Sequence, residues 1–96
     1  MAIEQQILNK SADIRTIAAK HGATKVRIFG SAARGEAGPQ SDFDFLVDVG
    51  AQTSSWFPAG LVLDLEDLLG RRVEVVTERA LNPEIRESVL REAIAL

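Results

Sequence analysis

Two short segments of this sequence constrain its fold and its chemistry together. The first is Gly30-Ser31, which follows a short apolar run over residues 26–29. The second is Asp42-Phe43-Asp44, which comes ten residues later and opens another apolar run. Because side chains alternate along a strand, Asp42 and Asp44 are predicted to lie on one face. A glycine turn beside paired carboxylates predicts a site that holds a metal-bound triphosphate.

Length and composition predict one globular domain over residues 1–96. Apolar residues make up 46% of the chain and charged residues 26%, which allows a packed core and argues against disorder. The net charge is -3 and Lys and Arg form no block, so direct nucleic-acid binding is not expected. Cysteine is absent, which excludes disulfides and thiolate metal sites. Without a long apolar stretch, no membrane segment is expected, and the predicted location is the cytoplasm.

Hydrophobic periodicity predicts an α/β fold with a small sheet flanked by helices. Asn82-Pro83 is a strong helix start, with Asn as the cap and Pro at the first position, and Gly70 is a typical helix end. The predicted elements are, in order, a helix over 2–20, a strand over 26–29, a short helix from Ser31, a strand over 43–49, a helix over 59–69, a strand over 73–77 and a helix from Pro83 to Ala95.

The segment from Gly30 to Arg34 is the predicted phosphate-binding part. Gly30 lets the backbone turn without a side chain in the path of a phosphate, and Ser31 adds a hydroxyl. Arg34 could bind a phosphate oxygen, or it could brace the loop through a carboxylate. The Gly-Lys-Ser/Thr ending of a P-loop is missing, which disfavours a Walker-type ATPase.

Asp42 and Asp44 are the predicted magnesium ligands. Two carboxylates on one side of a strand repel each other unless a cation lies between them, and Mg²⁺ prefers one or two carboxylates plus phosphate oxygens. Glu74 is the candidate third acid, because it lies between Val73 and Val75 on the predicted third strand. The alternative for Asp42, Asp44 and Glu74 is that they are ordinary solvated strand residues.

Other polar residues are predicted to have structural roles. His21 precedes Gly22 at the expected end of the first helix, where a helix terminus explains it better than catalysis does. The acidic residues of the leucine-rich helix are predicted to form a solvated face, and the two arginines after Gly70 to flank the next strand as solvated charges. These residues are Asp64, Glu66, Asp67, Arg71 and Arg72.

The combined pattern resembles the minimal nucleotidyltransferases of the DNA polymerase beta superfamily, whose signature is Gly-Ser, ten residues, then Asp-x-Asp. Arg34-Gly35 and Ser41 also match positions that this family favours. The resemblance implies a minimal nucleotidyltransferase fold with a small mixed sheet. It implies nucleotide binding by Gly30, Ser31, Arg34 and Ser41, and catalysis and Mg²⁺ binding by Asp42, Asp44 and Glu74. The family usually has Asp where this chain has Glu74.

The resemblance also implies a function. Members of this family are typically encoded beside HEPN toxins, which are RNases, and some neutralise them by transferring AMP from ATP to a tyrosine. The implied protein is therefore a magnesium-dependent protein adenylyltransferase that forms a hetero-oligomer with a HEPN toxin. This chain contains no Tyr, so the acceptor must belong to another protein. Trp56 and Phe57 either face that partner or cover the edge of the core. The alternatives are an antitoxin that acts by occlusion and a transferase that modifies a small molecule.

Overall fold

A four-stranded mixed sheet with four α-helices forms the computed structural model, which describes residues 3–96. None of the described helices is both long enough and apolar enough to cross a membrane. Two short 3-10 helices, Gly30–Ala32 and Glu78–Ala80, lie between the main elements. The strands are β1 (Ala23–Phe29), β2 (Phe43–Val49), β3 (Val73–Thr77) and β4 (Ile94–Ala95), and the helices are α1 (Gln5–Asn9), α2 (Ser11–Lys20), α3 (Ala59–Leu69) and α4 (Pro83–Glu92).

The sheet has the order β3-β2-β1-β4. β1 pairs antiparallel with β2 on one side and with β4 on the other, whereas β2 and β3 run parallel. The parallel pair is joined by α3, as a parallel connection requires a crossover. This topology places the beginnings of β2 and β3 next to each other and next to the end of β1, where the glycine-serine turn starts.

Strand β2 is buried on both faces. Phe43, Phe45 and Val47 belong to the main core, together with Ile14 of α2 and Leu61 of α3. On the opposite face a smaller cluster surrounds Leu46 and includes Leu81 and Val89, so α4 covers that face. Because side chains alternate along β2, Asp44 lies on the same face as Leu46, beside this smaller cluster.

The sequence predicted β2, β3 and α3 with the bounds that the structure shows, and β1 begins earlier, at Ala23. The prediction of one helix over 2–20 is wrong, because the structure has two helices in this range. Ala2 lies outside the described residues. Lys10 separates them with φ −113° and ψ 14°, and its amide donates to Ile7 O, three residues back. The Gln6 side chain also donates to the Leu69 carbonyl at 2.6 Å, which anchors α1 to the end of α3.

The predicted C-terminal end of the last helix, Ala95, is wrong. Asn82 caps this helix as expected, accepting the Glu84 amide at 2.9 Å, but the helix stops at Glu92 and Ala93 is extended. Residues 94 and 95 form β4, opposite Ile28 and Arg27 of β1. Pairing with an otherwise open strand edge satisfies backbone groups of both segments, and this outweighs helix propensity in these residues.

His21 lies at the end of α2, as predicted, and only 9% of it is exposed. Its Nδ1 lies 2.7 Å from Ser54 Oγ, and its Nε2 donates to Asp64 Oδ2 at 2.7 Å. This hydrogen bond lowers the pKa of Asp64. The prediction of a merely solvated acidic face on α3 is therefore wrong for Asp64, and also for Glu66, whose carboxylate accepts the Val73 amide at 3.0 Å.

Candidate nucleotide site

The three acids predicted for the site lie at the start of β2 and β3. Asp44 and Glu74 are each the second residue of their strand, and the parallel register places them side by side. Asp42 lies just before β2, with its side chain half-exposed. The register therefore places Glu74 beside Asp44, and Asp42 lies close enough to raise the pKa of Asp44 by charge repulsion.

The pKa of Asp44 is well above its ordinary value. Burial, followed by charge repulsion from Glu74, Asp42 and Glu92, raises the pKa of Asp44 to about 6, while Arg34 opposes the change. A half-buried carboxylate among like charges binds a proton or a cation more readily than an isolated one. The strand face therefore carries an unbalanced negative charge that favours a cation.

The arrangement fits a magnesium ion that arrives with a nucleotide. Among residues 3–96, no three histidine, cysteine or acidic side chains form a group that could hold a metal ion by themselves. Magnesium commonly uses one or two carboxylates and completes its coordination with substrate phosphates and water. Asp42 and Asp44 supply oxygen ligands of this kind, and the triphosphate would supply others.

Gly30 brings the turn against Asp44. Its φ is +75°, and a Cβ atom built at this position would lie 2.4 Å from Asp44 Oδ2. Only glycine allows both this backbone conformation and this close approach. The predicted phosphate-binding turn and the predicted metal ligands thus lie in direct contact.

The remaining predicted nucleotide ligands lie in the loop that connects β1 and β2. Ser31 is half-buried in the 3-10 helix, and its carbonyl accepts the Glu36 amide at 2.8 Å. The Ser41 hydroxyl accepts the Gly38 amide at 3.0 Å, which closes the turn just before Asp42. Both serines therefore shape the loop that the site uses.

Arg34 braces the loop through two carboxylates, which is one of the two roles that the sequence allowed for it. Its Nε donates to Glu36 Oε1 at 2.9 Å and its Nη1 to Glu92 Oε1 at 2.5 Å. The other oxygen of Glu92 accepts the Gly30 amide at 2.7 Å. Glu92 was not among the predicted site residues, because no local pattern links α4 to a turn that lies 62 residues earlier.

The prediction that Arg71 is a solvated charge is wrong. Its Nη2 donates to the carbonyls of Gly38 and Ser41, each at 2.6 Å, and its guanidinium stacks over the Phe43 ring at 4.3 Å. Arg72 is 87% exposed, as predicted, and its Nε lies 4.0 Å from Asp42 Oδ1. Arg71 thus holds the loop before the aspartates in place.

We expect Arg71→Met to destabilise the fold by about 2 kcal/mol, because two carbonyls lose a charged donor. Arg72→Met removes the same charge from the neighbouring position and should change stability by less than about 0.5 kcal/mol. Urea denaturation of both variants measures the difference. Equal stabilities would contradict the bracing role of Arg71.

The comparisons with known proteins agree with this architecture. The family model described as a nucleotidyltransferase domain matches residues 11–96. Protein adenylyltransferase MntA of Thermococcus cleftensis is 40% identical over 75 residues, covering 78% of this chain and 76% of that protein. A Methanocaldococcus jannaschii protein named putative protein adenylyltransferase MJ0435 is 39% identical over 75 residues, covering 78% and 81%. A solved structure of a minimal nucleotidyltransferase, itself described as putative, superposes with a TM-score of 0.84 at 45% identity, covering 99% of this chain and 97% of that chain.

The family match and the superposition define the class of protein, a nucleotidyltransferase domain. The chain belongs to the nucleotidyltransferase domain family, and its fold is that of a minimal nucleotidyltransferase. The resemblance that the spacing of Gly30-Ser31 and Asp42-Phe43-Asp44 indicated is therefore confirmed, as is the predicted fold class.

Proposed function

We propose that this protein is an antitoxin that transfers AMP from ATP to a hydroxyl group of a partner toxin in the cytoplasm. The observation that carries the proposal is the contact of the Gly30 turn with Asp44, beside Glu74 in the parallel register. The relatives named protein adenylyltransferases support AMP transfer to a protein. A crystal structure described as a toxin-antitoxin with AMP-PNP shares the fold, with a TM-score of 0.71 at 19% identity over 91% of this chain and 69% of that chain.

In the proposed site, each group has a separate task. Gly30, Ser31, Arg34 and Ser41 bind and orient the triphosphate. Asp42, Asp44 and Glu74 would hold Mg²⁺ together with the triphosphate, which completes a coordination that the carboxylates do not provide by themselves. Magnesium would neutralise charge on the phosphates and polarise the α-phosphate. The exposed position of Glu74, next to Asp44, also allows its carboxylate to accept the proton of the attacking hydroxyl. The new bond joins that oxygen to the α-phosphorus, the bond to the bridging oxygen breaks, and pyrophosphate leaves.

The proposed acceptor is a tyrosine of a HEPN toxin that forms a hetero-oligomer with this chain. The chain itself has no Tyr, so a tyrosine acceptor has to come from another protein. Trp56 is 82% exposed, whereas Phe57 is half-buried and packs against the main core. Of the two aromatics considered for a partner surface, Trp56 is therefore the one that remains available to a partner.

Intact-mass measurement of the partner tests this function. The protein encoded beside this chain is purified with it and incubated with ATP and Mg²⁺, and we expect its mass to rise by whole AMP units. Asp42→Asn should remove the increase, while Asp67→Asn, an equal charge change at an exposed position of α3, should leave it unchanged. Undiminished modification by the Asp42→Asn protein would refute the proposed site.

One feature favours occlusion as a second candidate function. Glu74 is one methylene longer than the Asp that the family usually has, which displaces its carboxylate relative to Asp44. An antitoxin that works by occlusion would still suppress toxicity as the Asp42→Asn variant, with no nucleotide on the toxin. Transfer to a small molecule has less support, since the cavity of about 530 Å³ beside α2 and β1 is lined by none of the site residues, and the cavity that Ser41 lines measures only about 170 Å³.

A further inference from the structure

Glu92 engages two groups that the proposed function assigns to the nucleotide phosphates. Its Oε2 accepts the Gly30 amide at 2.7 Å, and its Oε1 accepts Arg34 Nη1 at 2.5 Å. A carboxylate that bridges a backbone amide and a guanidinium makes the same charge-assisted hydrogen bonds as two oxygens of a phosphate. The donors are therefore already satisfied by an anion from the chain itself.

The position of Glu92 depends on the elements around it. Glu92 is the last residue of α4, its side chain is 26% exposed, and Val89 one turn earlier packs into the smaller core cluster. The segment that follows is held by two β4 residues opposite β1 and by the Leu96 amide, which donates to Val26 O at 3.0 Å. Ile94 and Leu96 of this segment pack against the main core, so the Glu92 side chain can leave its two donors while the segment stays in place.

We propose that Glu92 is an internal competitor of the triphosphate, which must displace its carboxylate from Gly30 and Arg34 in order to bind. The identity of the ligand rests on the proposed function, whereas the competition rests on the contacts of Glu92. A triphosphate next to an undisplaced Glu92 would bring like charges together at shared donors. Binding therefore releases the Glu92 carboxylate from both donors and loosens the last turn of α4, which that side chain ties to the Gly30 turn.

The test uses inorganic tripolyphosphate, which carries the phosphate charge without a nucleoside, on the full chain without metal. Calorimetric titration should show about tenfold tighter binding to Glu92→Gln than to wild type, because a neutral amide leaves Arg34 available and raises the binding-competent fraction. Glu87→Gln removes one negative charge from the same helix at an exposed position paired with Arg91, and should bind as wild type does. Adding Arg34→Gln to Glu92→Gln should abolish the gain.

Equal or weaker binding by Glu92→Gln, or no binding by either protein, would overturn the inference. Hydrogen exchange of the wild type gives a second readout that needs no variant: tripolyphosphate should increase exchange at the end of α4, where Glu92 loses its two contacts. Increased protection there would instead show that Glu92 stays in place when the anion binds, and would also overturn the inference. If these binding results hold and no AMP reaches the partner, only the proposed function fails.

Discussion

Asp44→Asn is expected to reduce AMP transfer by at least about 100-fold and, at pH 8, to stabilise the fold. The activity is lost because Asn carries no charge with which to hold a metal ion beside the triphosphate. The stability rises because the ionised Asp44 is half-buried beside Glu74 and Asp42. A residue that lowers stability while supporting chemistry is typical of functional sites.

The stability effect has a defined pH window. The folded protein raises the pKa of Asp44 from 3.8 to about 6, so it binds the Asp44 proton more tightly than the unfolded chain does. This favourable contribution is complete below about pH 4 and is lost as the pH rises through about 6. Asn avoids the loss, and after allowance for solvent screening we expect a gain of about 1 kcal/mol at pH 8 that shrinks toward pH 4.

Urea denaturation at pH 8 and pH 5 measures this window. Asp48→Asn is the matched control, because Asp48 lies on the same strand but accepts Arg27 Nη2 at 3.2 Å. Removing that ion pair should leave stability unchanged or slightly lower at pH 8, opposite in sign to Asp44→Asn. If both variants lost stability at pH 8, the unfavourable environment inferred for Asp44 would be wrong.

Gly30→Ala is expected to abolish transfer and to destabilise the fold by about 2 kcal/mol. Part of this cost is the left-handed backbone, which a residue with a Cβ atom adopts reluctantly. The rest comes from the Asp44 carboxylate, whose Oδ2 would lie 2.4 Å from the new methyl group and has to move. Moving it separates the predicted metal ligand from the predicted phosphate-binding turn.

A double-mutant cycle separates the two parts of this cost. In an Asp44→Ala background the side-chain oxygen is gone, so Gly30→Ala should cost only about 1 kcal/mol, the backbone strain alone. Gly70→Ala provides the reference, since Gly70 has φ +66° and a methyl group at this position would meet no neighbouring side chain or backbone within 4 Å. Equal costs of Gly30→Ala in both backgrounds would exclude a steric conflict with Asp44.

Local patterns were sufficient for most of the secondary structure. The apolar runs predicted β2 and β3, the leucines predicted α3, and Asn82-Pro83 predicted the start of α4, because each signal lies within the element it specifies. The resemblance carried by Gly30-Ser31 and Asp42-Phe43-Asp44 predicted the family, because that family's signature is itself a local sequence pattern.

Contacts between distant segments escaped the sequence analysis. The end of α4 became β4 because β1 offered a strand edge, and Arg71 became a loop brace because the carbonyls of Gly38 and Ser41 needed a donor. Glu92 reached Gly30 through the packing of α4 on the sheet.

The residues alone predicted the family, through its local signature, the order of most elements and the acids of the proposed site, since each of these depends on short-range patterns. The folded chain established that Glu74 stands beside Asp44 and that Glu92 occupies the Gly30 and Arg34 donors. Such contacts depend on strand register and on which helix covers which face of the sheet, and these follow from the packing of the whole domain.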